Sequence, residues 1–438
     1  MSTPPAQRKP ATATRLVRRS PSSGAQRVAA DICVIGSGAA GISAALEAAR
    51  LGSKVVLVDS LPQLGGQAVN SIIGTFCGLY SNGLDCYQTV HGIADGILRD
   101  LGALSGALHF RRTAHTTVVM YDEVALSRWI EEAVRKAGIT VLLGGVMREV
   151  HMNGRRIERL EIATRYGDVS LSARGFVDAS GDAALAWLAG LPCREAADGP
   201  IYGTQMVVLE NVDEAHHPER EDMTQRLATK GLASGLTRIQ GFSFLFQGRG
   251  TALVNLTHVE TPLEPLEASR LALEGKAQAD TVVAYLKAEY PKAFAGARVR
   301  NYGFPGIRQT RWIAGRQQIT ADEVRQGVKY PDAIARTSWP IELHDTPQGY
   351  VWEQFGDDHM HYVPFGSLVS PDADNYVAAG RCIDGDTAAL SSVRVMGPCI
   401  AMGAAAANAL DLAGDGSVHQ LDMAELTKRV RDNVEGRG

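Results

Sequence analysis

A glycine-rich turn between a predicted strand and a predicted helix constrains this chain more than any other feature of its sequence. Residues 31–35 form a short apolar run of strand type, and Gly36-Ser-Gly-Ala-Ala-Gly41 follows directly. An Ala- and Leu-rich helix is predicted over 42–51 and a second buried strand over 54–59. The segment is therefore a βαβ unit of about 30 residues, the context in which a G-x-G-x-x-G turn binds a dinucleotide.

The spacing assigns a role to each residue of this turn. Gly36 permits the tight turn, Gly38 lets the backbone approach a pyrophosphate, and Gly41 allows the helix to pack closely on the strand. The helix that follows Gly41 points its free N–H groups and positive dipole end at the phosphates, and Ala39 and Ala40 of the turn are also assigned to the cofactor. At the end of the second strand we predict that Asp59, with Ser60 beside it, accepts both ribose hydroxyls.

Three later loops indicate which dinucleotide is bound. Each carries glycine, and the second and third follow a strand-like run. They are Leu64-Gly65-Gly66-Gln67, Asp178-Ala179-Ser180-Gly181-Asp182 and Ala379-Gly380-Arg381. A single ligand that touches three further loops must be long, which favours FAD over NAD.

Missing motifs narrow the chemistry further. No second G-x-G-x-x-G follows a strand: Gly248-Arg-Gly250 comes closest, but Leu253 stands at the third position. This argues against a built-in NADPH domain. The six cysteines form neither a C-x-x-C nor a C-x4-C pair, which argues against disulfide reductase chemistry and predicts no metal site. They favour a reduced, cytoplasmic protein.

Composition argues against two further classes of protein, nucleic-acid binders and membrane-spanning proteins. The chain has 44 Lys and Arg against 48 Asp and Glu, a balance that argues against a nucleic-acid binder. No apolar run reaches the roughly 18 residues of a membrane span, and the Ala-rich segment 400–412 is predicted to be a buried helix. Residues 1–27 are basic and Pro-containing, with no acidic residue and no apolar signal core, so we predict a disordered basic tail.

The remaining pattern predicts a discontinuous cofactor domain. A helix over 121–137, a strand over 139–143 and an antiparallel meander over 146–177 extend the first βαβ unit. Strand-like runs and one long helix, 265–289, then form a segment of different texture. We predict an α/β fold in which a Rossmann-like FAD-binding domain with a parallel sheet, residues 28–195 and 359–425, carries an inserted α+β substrate or cap domain, residues 196–358.

These motifs, in this order, resemble the FAD-dependent oxidoreductases of the glutathione-reductase-like superfamily. The family's ordered signatures stand here as Gly36–Gly41, Gly65-Gly66, Asp178–Asp182, Gly306–Arg311, Ala379–Cys382 and Ser392–Met396. The resemblance covers about residues 30–412. It implies that Val146 contacts adenine through its backbone. It also implies that Arg394, Val395 and Met396 lie at the N1–C2=O edge of the isoalloxazine, where the helix dipole stabilises reduced flavin.

The sequence departs from the family pattern at two positions. Gln309 stands where the family has Glu between two arginines, which removes a charge. Gly366, in Tyr362-Val-Pro-Phe-Gly366, replaces an arginine. Both departures concern substrate recognition rather than the cofactor.

Candidate catalytic residues lie in or next to the inserted segment: Arg308, Arg311, His344, His361 and Tyr362. Guanidinium groups near a flavin could hold a carboxylate or stabilise an enolate, and His or Tyr could move a proton while hydride moves to N5. The ordinary alternative is that the arginines form structural ion pairs and the histidines are satisfied in the core. Cys77 could line the flavin pocket or simply pack.

The prediction that follows is hydride transfer between a small organic substrate and N5 of a non-covalent FAD, of dehydrogenase or oxidase type. Oxygen, a quinone or a separate reductase would exchange electrons with it. Three alternatives stay open: a monooxygenase supplied by a separate reductase, a nicotinamide-only dehydrogenase, and a non-enzymatic FAD-stabilised scaffold. A homo-oligomer also stays open.

Overall fold

The computed structural model describes residues 14–18, 24–113 and 115–436. Its strands, in chain order, are β1 (Gln26–Ile35), β2 (Val55–Asp59), β3 (Thr75–Phe76), β4 (Leu108–Thr113), β5 (Thr116–Tyr121), β6 (Thr140–Leu143), β7 (Val146–Asn153), β8 (Arg156–Thr164), β9 (Gly167–Asp178), β10 (Cys193–Glu195), β11 (Val207–Glu210), β12 (Phe242–Phe246), β13 (Thr251–Asn255), β14 (Arg298–Tyr302), β15 (Arg311–Ile313), β16 (Ala333–Thr337), β17 (Ile341–Leu343), β18 (Val351–Glu353), β19 (His361–Pro364) and β20 (Tyr376–Ala378).

Its α-helices are α1 (Ala39–Arg50), α2 (Gly66–Asn70), α3 (Ile93–Gly102), α4 (Glu123–Lys136), α5 (Ala184–Leu188), α6 (Arg220–Lys230), α7 (Pro265–Glu289), α8 (Pro291–Phe294), α9 (Ala321–Gln326), α10 (Thr387–Val393), α11 (Met396–Ala413) and α12 (Met423–Arg429).

A seven-stranded sheet forms the centre of the molecule. Its strands β6, β2, β1 and β9 lie side by side and parallel, and β20 pairs with β9 in the same direction. Strand β2 is buried along its whole length, as expected for a parallel strand covered on both faces. Strands β7 and β8 extend the sheet by antiparallel pairing with β9. The predicted parallel sheet, its third strand and the antiparallel meander are therefore confirmed.

Helices α1 and α11 pack against each other over the central sheet. Helix α11 is 18 residues long, and by length and composition it could cross a membrane, but 78% of it is buried inside the protein. It is thus a core helix, as the sequence predicts. Helix α4 also begins as predicted, with the carboxylate of Asp122 accepting a hydrogen bond of 2.8 Å from the N–H of Ala125.

A second hydrophobic core lies in the segment predicted to be inserted. Four antiparallel strands in the order β12-β13-β11-β14 pack against α6, α7 and α8. The apolar side chains of this core come from residues 207–302. Strands β15 and β16 lie in the same predicted segment, yet they pair with β10 and β19, and Trp312 and Ile334 belong to the main core. The division of the chain into domains stays a prediction.

Three element boundaries differ from those predicted. Strand β1 begins at Gln26 because the residues before Asp31 pair in register with β9, a contact with no local sequence signal. Gln26 and Arg27 thus belong to a strand, and most of the predicted tail lies outside the described residues. Helix α1 begins at Ala39, three residues early. Helix α11 begins at Met396, four residues before the predicted segment 400–412, and Pro398 is its third residue, since a proline fits anywhere in the first turn.

Candidate functional site

Loops that follow four parallel strands meet at the carboxyl edge of the central sheet. The N–H of Gly36 donates to the carbonyl of Val58 (2.7 Å), and the N–H of Ala179 donates to that of Ile35 (2.8 Å). A Cβ on Gly36 would lie 2.3 Å from the carbonyl oxygen of Ala179, so these two loops touch backbone to backbone. Ligands of open α/β sheets bind in the crevice outside this edge.

The second predicted loop closes on the first. A Cβ on Gly66 would lie 2.6 Å from Cα of Gly38, and the N–H of Gly65 donates to the carbonyl of Ser37 (3.1 Å). Gln67 lies partly buried in α2. From the other side of the crevice, Gly380 lies against the side chain of Ala40. The structure therefore brings the predicted glycine loops together around the start of α1.

The space in front of Gly38 fits a pyrophosphate. A Cβ there would meet no heavy atom within 4 Å, whereas one on Gly41 would collide with the carbonyl of Gly36. No side chain caps α1, so the N–H groups of its first turn are left without a side-chain partner. Unpaired N–H groups at the positive end of a helix attract an anion.

Asp59 has a different set of partners from the one predicted. Its carboxylate accepts hydrogen bonds from the N–H of Ser37 (2.7 Å), the hydroxyl of Ser37 (2.5 Å) and the N–H of Leu61 (2.8 Å). It thereby holds the glycine turn against the end of β2. Ser60 is exposed, and so is Val146, which follows a turn bonded to the carbonyl of Asp59. The predicted contacts of these residues with adenosine stay predictions.

The two carboxylates of the Asp178–Asp182 loop differ in burial and in their hydrogen-bond partners. Asp178 is fully buried and accepts hydrogen bonds from the backbone of α5 and from the hydroxyl of Tyr376, and burial raises its pKa. Asp182 faces the crevice, where it accepts from the hydroxyl of Thr310 (2.5 Å) and lies 3.5 Å from the guanidinium of Arg381. That guanidinium lies directly on Gly181, whose φ of +86° also favours glycine.

Several buried polar atoms beside this loop have no partner within the protein. They are both amide atoms of Gln309 and Nε of Arg394, whereas Nη1 of Arg381 makes no hydrogen bond but lies in the 3.5 Å ion pair with Asp182. Buried polar groups are nearly always hydrogen-bonded, so these atoms indicate a polar ligand. Arg394 ends α10, directly before the start of α11 at Val395 and Met396, and the N–H of Gly397 donates to the carbonyl of Cys77 (2.9 Å). The donors and acceptors here fit the polar edge of a flavin.

Two of the predicted catalytic residues come together, with partners the sequence did not indicate. Nη1 of Arg308 donates to the carbonyl of Tyr202 (2.7 Å). His344 is completely buried, with Nδ1 2.9 Å from Nε2 of His258 and Nε2 3.0 Å from Oε1 of Glu342. The ring of His258 in turn stacks on that of Tyr202, with 5.4 Å between centroids.

The contacts of this group determine its proton count. Nδ1 of His258 faces the carbonyls of Thr346 (3.0 Å) and Pro347 (2.9 Å), so it must carry the proton. Nε2 of His258 is then an acceptor, and Nδ1 of His344 donates to it. The remaining nitrogen of His344, Nε2, lies 3.0 Å from Oε1 of Glu342. Burial and the nearby Arg308 and Arg238 charges hold the pKa of His344 well below its usual range, so its ring is neutral and carries its one proton on Nδ1.

His361 belongs to a second buried chain of hydrogen bonds. Its Nε2 lies 2.8 Å from the hydroxyl of Ser392, which donates to the carbonyl of Trp339 (2.5 Å). The hydroxyl therefore accepts from His361, and Nδ1 of His361 accepts from Nε2 of His359 (3.1 Å). Burial lowers the pKa of His361 to about 3. The indole of Trp339 donates to Glu342 (3.2 Å), which links this chain to the first.

Comparisons with known proteins agree with this geometry. A family profile described as "FAD dependent oxidoreductase" matches residues 31–430. The chain belongs to the FAD-dependent oxidoreductase family. Membership implies FAD as the cofactor of this flavoprotein and a small molecule as its substrate. The family, the Rossmann-like fold and the cofactor predicted from the sequence are thereby confirmed.

More distant similarities are also found. The chain is 34% identical over 92 residues to sarcosine oxidase subunit alpha of Corynebacterium sp. (strain U-96), a match that covers 21% of this chain and spans 8% of that relative. A geranylgeranyl bacteriochlorophyll reductase-like protein of Thermoplasma acidophilum has 14% identity, coverage of 94% and 85%, and a TM-score of 0.49. The flavin-dependent brominase Bmp2 has 12% identity, coverage of 92% and 83%, and a TM-score of 0.45.

The structure places two predicted catalytic residues of this FAD-dependent oxidoreductase elsewhere. Arg311 forms an ion pair with Glu195 (3.0 Å) and lies over the ring of Trp187, so its contacts are structural. Tyr362 projects from β19 on the side opposite His361 and is only partly buried, with the amine of Lys329 over its ring. Neither has a recorded contact with Arg308 or His344 among the described residues.

Four members of the buried cluster escaped the sequence analysis: Arg238, His258, Glu342 and Tyr350. Each lies alone among apolar or loop residues, and no motif joins them. The one available signal was Arg238, an arginine before a buried strand that becomes 1% exposed. Glu342 lies two residues before His344, which places the two side chains on one face of an extended segment.

Proposed function

We propose that this protein transfers hydride between a small organic substrate and N5 of non-covalently bound FAD, as a dehydrogenase or an oxidase. The observation that supports it is the buried His258–His344–Glu342 chain, a hydrogen-bonded set of proton acceptors beside Arg394, which directly precedes α11. Bound FAD supplies the acceptor or donor of the hydride. Oxidation of an alcohol or amine and its reversal need a proton site beside the hydride path.

The residues around the crevice divide the work of holding the cofactor. The N–H groups at Gly38, Ala39 and Ala40 bind the pyrophosphate, since no side chain competes for them. Asp182 and Arg381 bind the polar chain that follows. Arg394, with the N–H groups at Val395 and Met396, binds the flavin edge that becomes negative on reduction, and the amide of Gln309 supplies a donor and an acceptor.

The protein's own proton chemistry centres on His344. In the direction of substrate oxidation, the neutral imidazole of His344 takes up the proton that the substrate releases, and the Glu342 carboxylate 3.0 Å from its Nε2 stabilises the charged ring. In the opposite direction His344 returns the proton to the substrate. His258 orients the ring by accepting from its Nδ1. Oxygen, a quinone or a separate reductase completes the turnover, and a cytoplasmic location stays a prediction.

Spectroscopy of the purified protein tests the proposal directly. We expect absorption bands near ~370 and ~450 nm, as for any oxidised flavin. Under anaerobic conditions a substrate that becomes oxidised should bleach the ~450 nm band, and oxygen or a quinone should then restore the band. If the substrate is instead reduced, a separate reductase should bleach the band and the substrate should restore it. A protein without these bands after reconstitution with FAD would contradict the proposal. Incorporation of ¹⁸O from ¹⁸O₂ into the product would instead establish the monooxygenase reaction.

A substitution at Gly38 tests where the cofactor is held. Gly38→Val fills the open space in front of α1 without meeting another atom at its Cβ, so we expect a folded protein that has lost flavin by at least tenfold in affinity. Gly24→Val, also at a glycine with no neighbour within 4 Å, is the matched control and should keep its flavin. Equal flavin content in both variants would place the cofactor elsewhere.

A further inference from the structure

Three arginines around the candidate site have no carboxylate partner. Arg238 is 1% exposed, and its Nη1 donates to the amide oxygen of Asn255 (2.7 Å). Arg308 and Arg394 are half-buried and donate only to carbonyls, those of Tyr202 and Glu342. Among the described residues, no carboxylate oxygen lies within the 4.0 Å of an ion pair from any of the three. Nε of Arg238 and Nε of Arg394 are buried without any partner.

The one carboxylate of the cluster does not offset these charges. Both oxygens of Glu342 are already engaged, Oε1 with His344 and Oε2 with the indole of Trp339. Burial and mutual repulsion hold the pKa of Arg308 at about 9, and burial lowers the pKa of Arg238 to about 10. Burying unpaired charge is costly, so this excess of positive charge indicates an anionic ligand.

Position separates the roles of the three arginines. Arg394 directly precedes α11, so it belongs with the flavin edge in the function proposed above. Arg238 and Arg308 come from the segment between β11 and β16, on the side of the ring pairs Tyr202–His258 and His344–Tyr350. The guanidinium of Arg238 lies over the ring of Tyr350 (5.3 Å), which stacks directly on the imidazole of His344.

We propose that the substrate is an organic acid whose carboxylate binds Arg308 and Arg238. This inference rests on the proposed function and names its substrate class. A guanidinium binds a carboxylate through two parallel hydrogen bonds, and such a contact orients as well as attracts. Anchored there, a small acid would lie beside the His344–Glu342 pair, the proton acceptor of the proposed reaction. The aromatic rings restrict the remainder of the molecule to a flat or short apolar group.

Matched pairs of probes test the proposal on the FAD-loaded protein. Acetate with acetamide, benzoate with benzamide, and succinate with succinamide are titrated at constant ionic strength. Binding is followed by perturbation of the flavin spectrum and by calorimetry, which does not depend on flavin bands. We expect at least one carboxylate to bind about tenfold or more tightly than its amide.

Variants assign the binding to these two side chains. Arg308→Gln and Arg238→Gln should each weaken carboxylate binding about 10- to 100-fold and leave amide binding unchanged. Arg308→Lys, which keeps the charge but loses the two-pronged contact, should have an intermediate affinity and provides a gentler change if a glutamine variant does not fold. Arg325→Gln, at an exposed arginine paired with Glu353, is the control and should bind like the unmodified protein.

Two results would overturn the proposal. One is carboxylates binding no better than their amides. The other is unchanged carboxylate affinity in the folded Arg308→Gln and Arg238→Gln variants. In either case a flavin reducible by a neutral substrate would leave the proposed function standing. Failure to bind FAD at all would contradict the proposed function itself. The calorimetric comparison of carboxylates with amides would still show whether Arg308 and Arg238 form an anion site.

Discussion

At the scale of single residues, the same burial has opposite meanings at different positions. Asp178 is buried with every oxygen satisfied by the protein, so it is a structural group that caps α5. Gln309 is equally buried, but neither atom of its amide has a partner. Because an unpaired buried polar atom costs about 1–3 kcal/mol, a ligand that pairs with this amide would stabilise the folded protein. The partners, rather than the burial, distinguish a scaffold residue from a binding residue.

His361 gives a prediction at this scale. Its pKa in the folded protein is about 3, against about 6.5 in an unfolded chain. As the pH falls, the unfolded chain therefore takes up the proton first. The folded state is fully stabilised above about pH 6.5 and loses stability between there and pH 3. We expect His361→Gln to reduce the slope of the unfolding free energy against pH by up to about 1.4 kcal/mol per pH unit.

Urea unfolding at several pH values between 7 and 4 measures this slope. Glutamine keeps a donor for Ser392 and an acceptor for His359, so the variant should fold. His115→Gln, at an exposed histidine paired with Asp357, is the matched substitution at the surface. Identical slopes for His361→Gln and the unmodified protein would show that this imidazole is not held neutral.

At the scale of elements, the packing of helix α1 against helix α11 connects the two predicted ends of the cofactor site. The start of α1 faces the predicted pyrophosphate, and the start of α11 faces the predicted flavin edge. A Cβ on Gly403 would lie 2.0 Å from the carbonyl of Ala40, so the two helices touch near the first turn of α1. The hydroxyl of Ser43 donates to the carbonyl of Ile400 (2.7 Å) across the same contact.

Gly403→Ala is expected to separate these helices. The added methyl group meets backbone that cannot rotate away, so we predict a loss of about 1–3 kcal/mol in the free energy of unfolding. The first turn of α1 should shift with it, and the affinity for FAD should fall. Gly102→Ala in α3, where the nearest atom is 4.0 Å away, is the matched control. Unchanged stability and flavin affinity in Gly403→Ala would contradict the close contact.

At the scale of the whole molecule, the cofactor crevice lies between residues that are far apart in the chain. The loops after β1, β2, β9 and β20 form one wall, and residues 308–310 approach from the other side through Thr310 and Asp182. Residues from positions 36 to 396 are thus predicted to surround one ligand. Binding it should stabilise the folded chain as a unit, because the unfolded chain has no such crevice.

FAD should therefore raise the unfolding temperature in a concentration-dependent way. At 100 times the dissociation constant the expected gain is about 2.7 kcal/mol. Scanning calorimetry of the flavin-free protein over a series of FAD concentrations measures it, with riboflavin as the control that lacks the pyrophosphate. A melting temperature independent of FAD would contradict the crevice as the binding site.

Local sequence patterns were sufficient to predict the main secondary-structure elements. The turn at Gly36–Gly41, the cap at Asp122 and the helix Pro265–Glu289 were predictable because hydrophobic period, caps and glycines act over a few residues. The order of the motifs along the chain was sufficient to predict the family and FAD as the cofactor. The start of β1 at Gln26 was not predictable, because its pairing with β9 spans more than a hundred residues.

The candidate site likewise has a part that the sequence predicted and a part that only the tertiary structure decided. The sequence by itself determined that four glycine loops serve one long cofactor, since glycine is the residue that backbone contact demands. Only the tertiary structure decided which titratable residues share a site: it separates Arg311 and Tyr362 from Arg308 and His344, and it adds Arg238, His258 and Glu342. The physical reason is that charge and proton sharing act through space over a few ångströms, whereas the chain distances involved leave no periodic trace in the sequence.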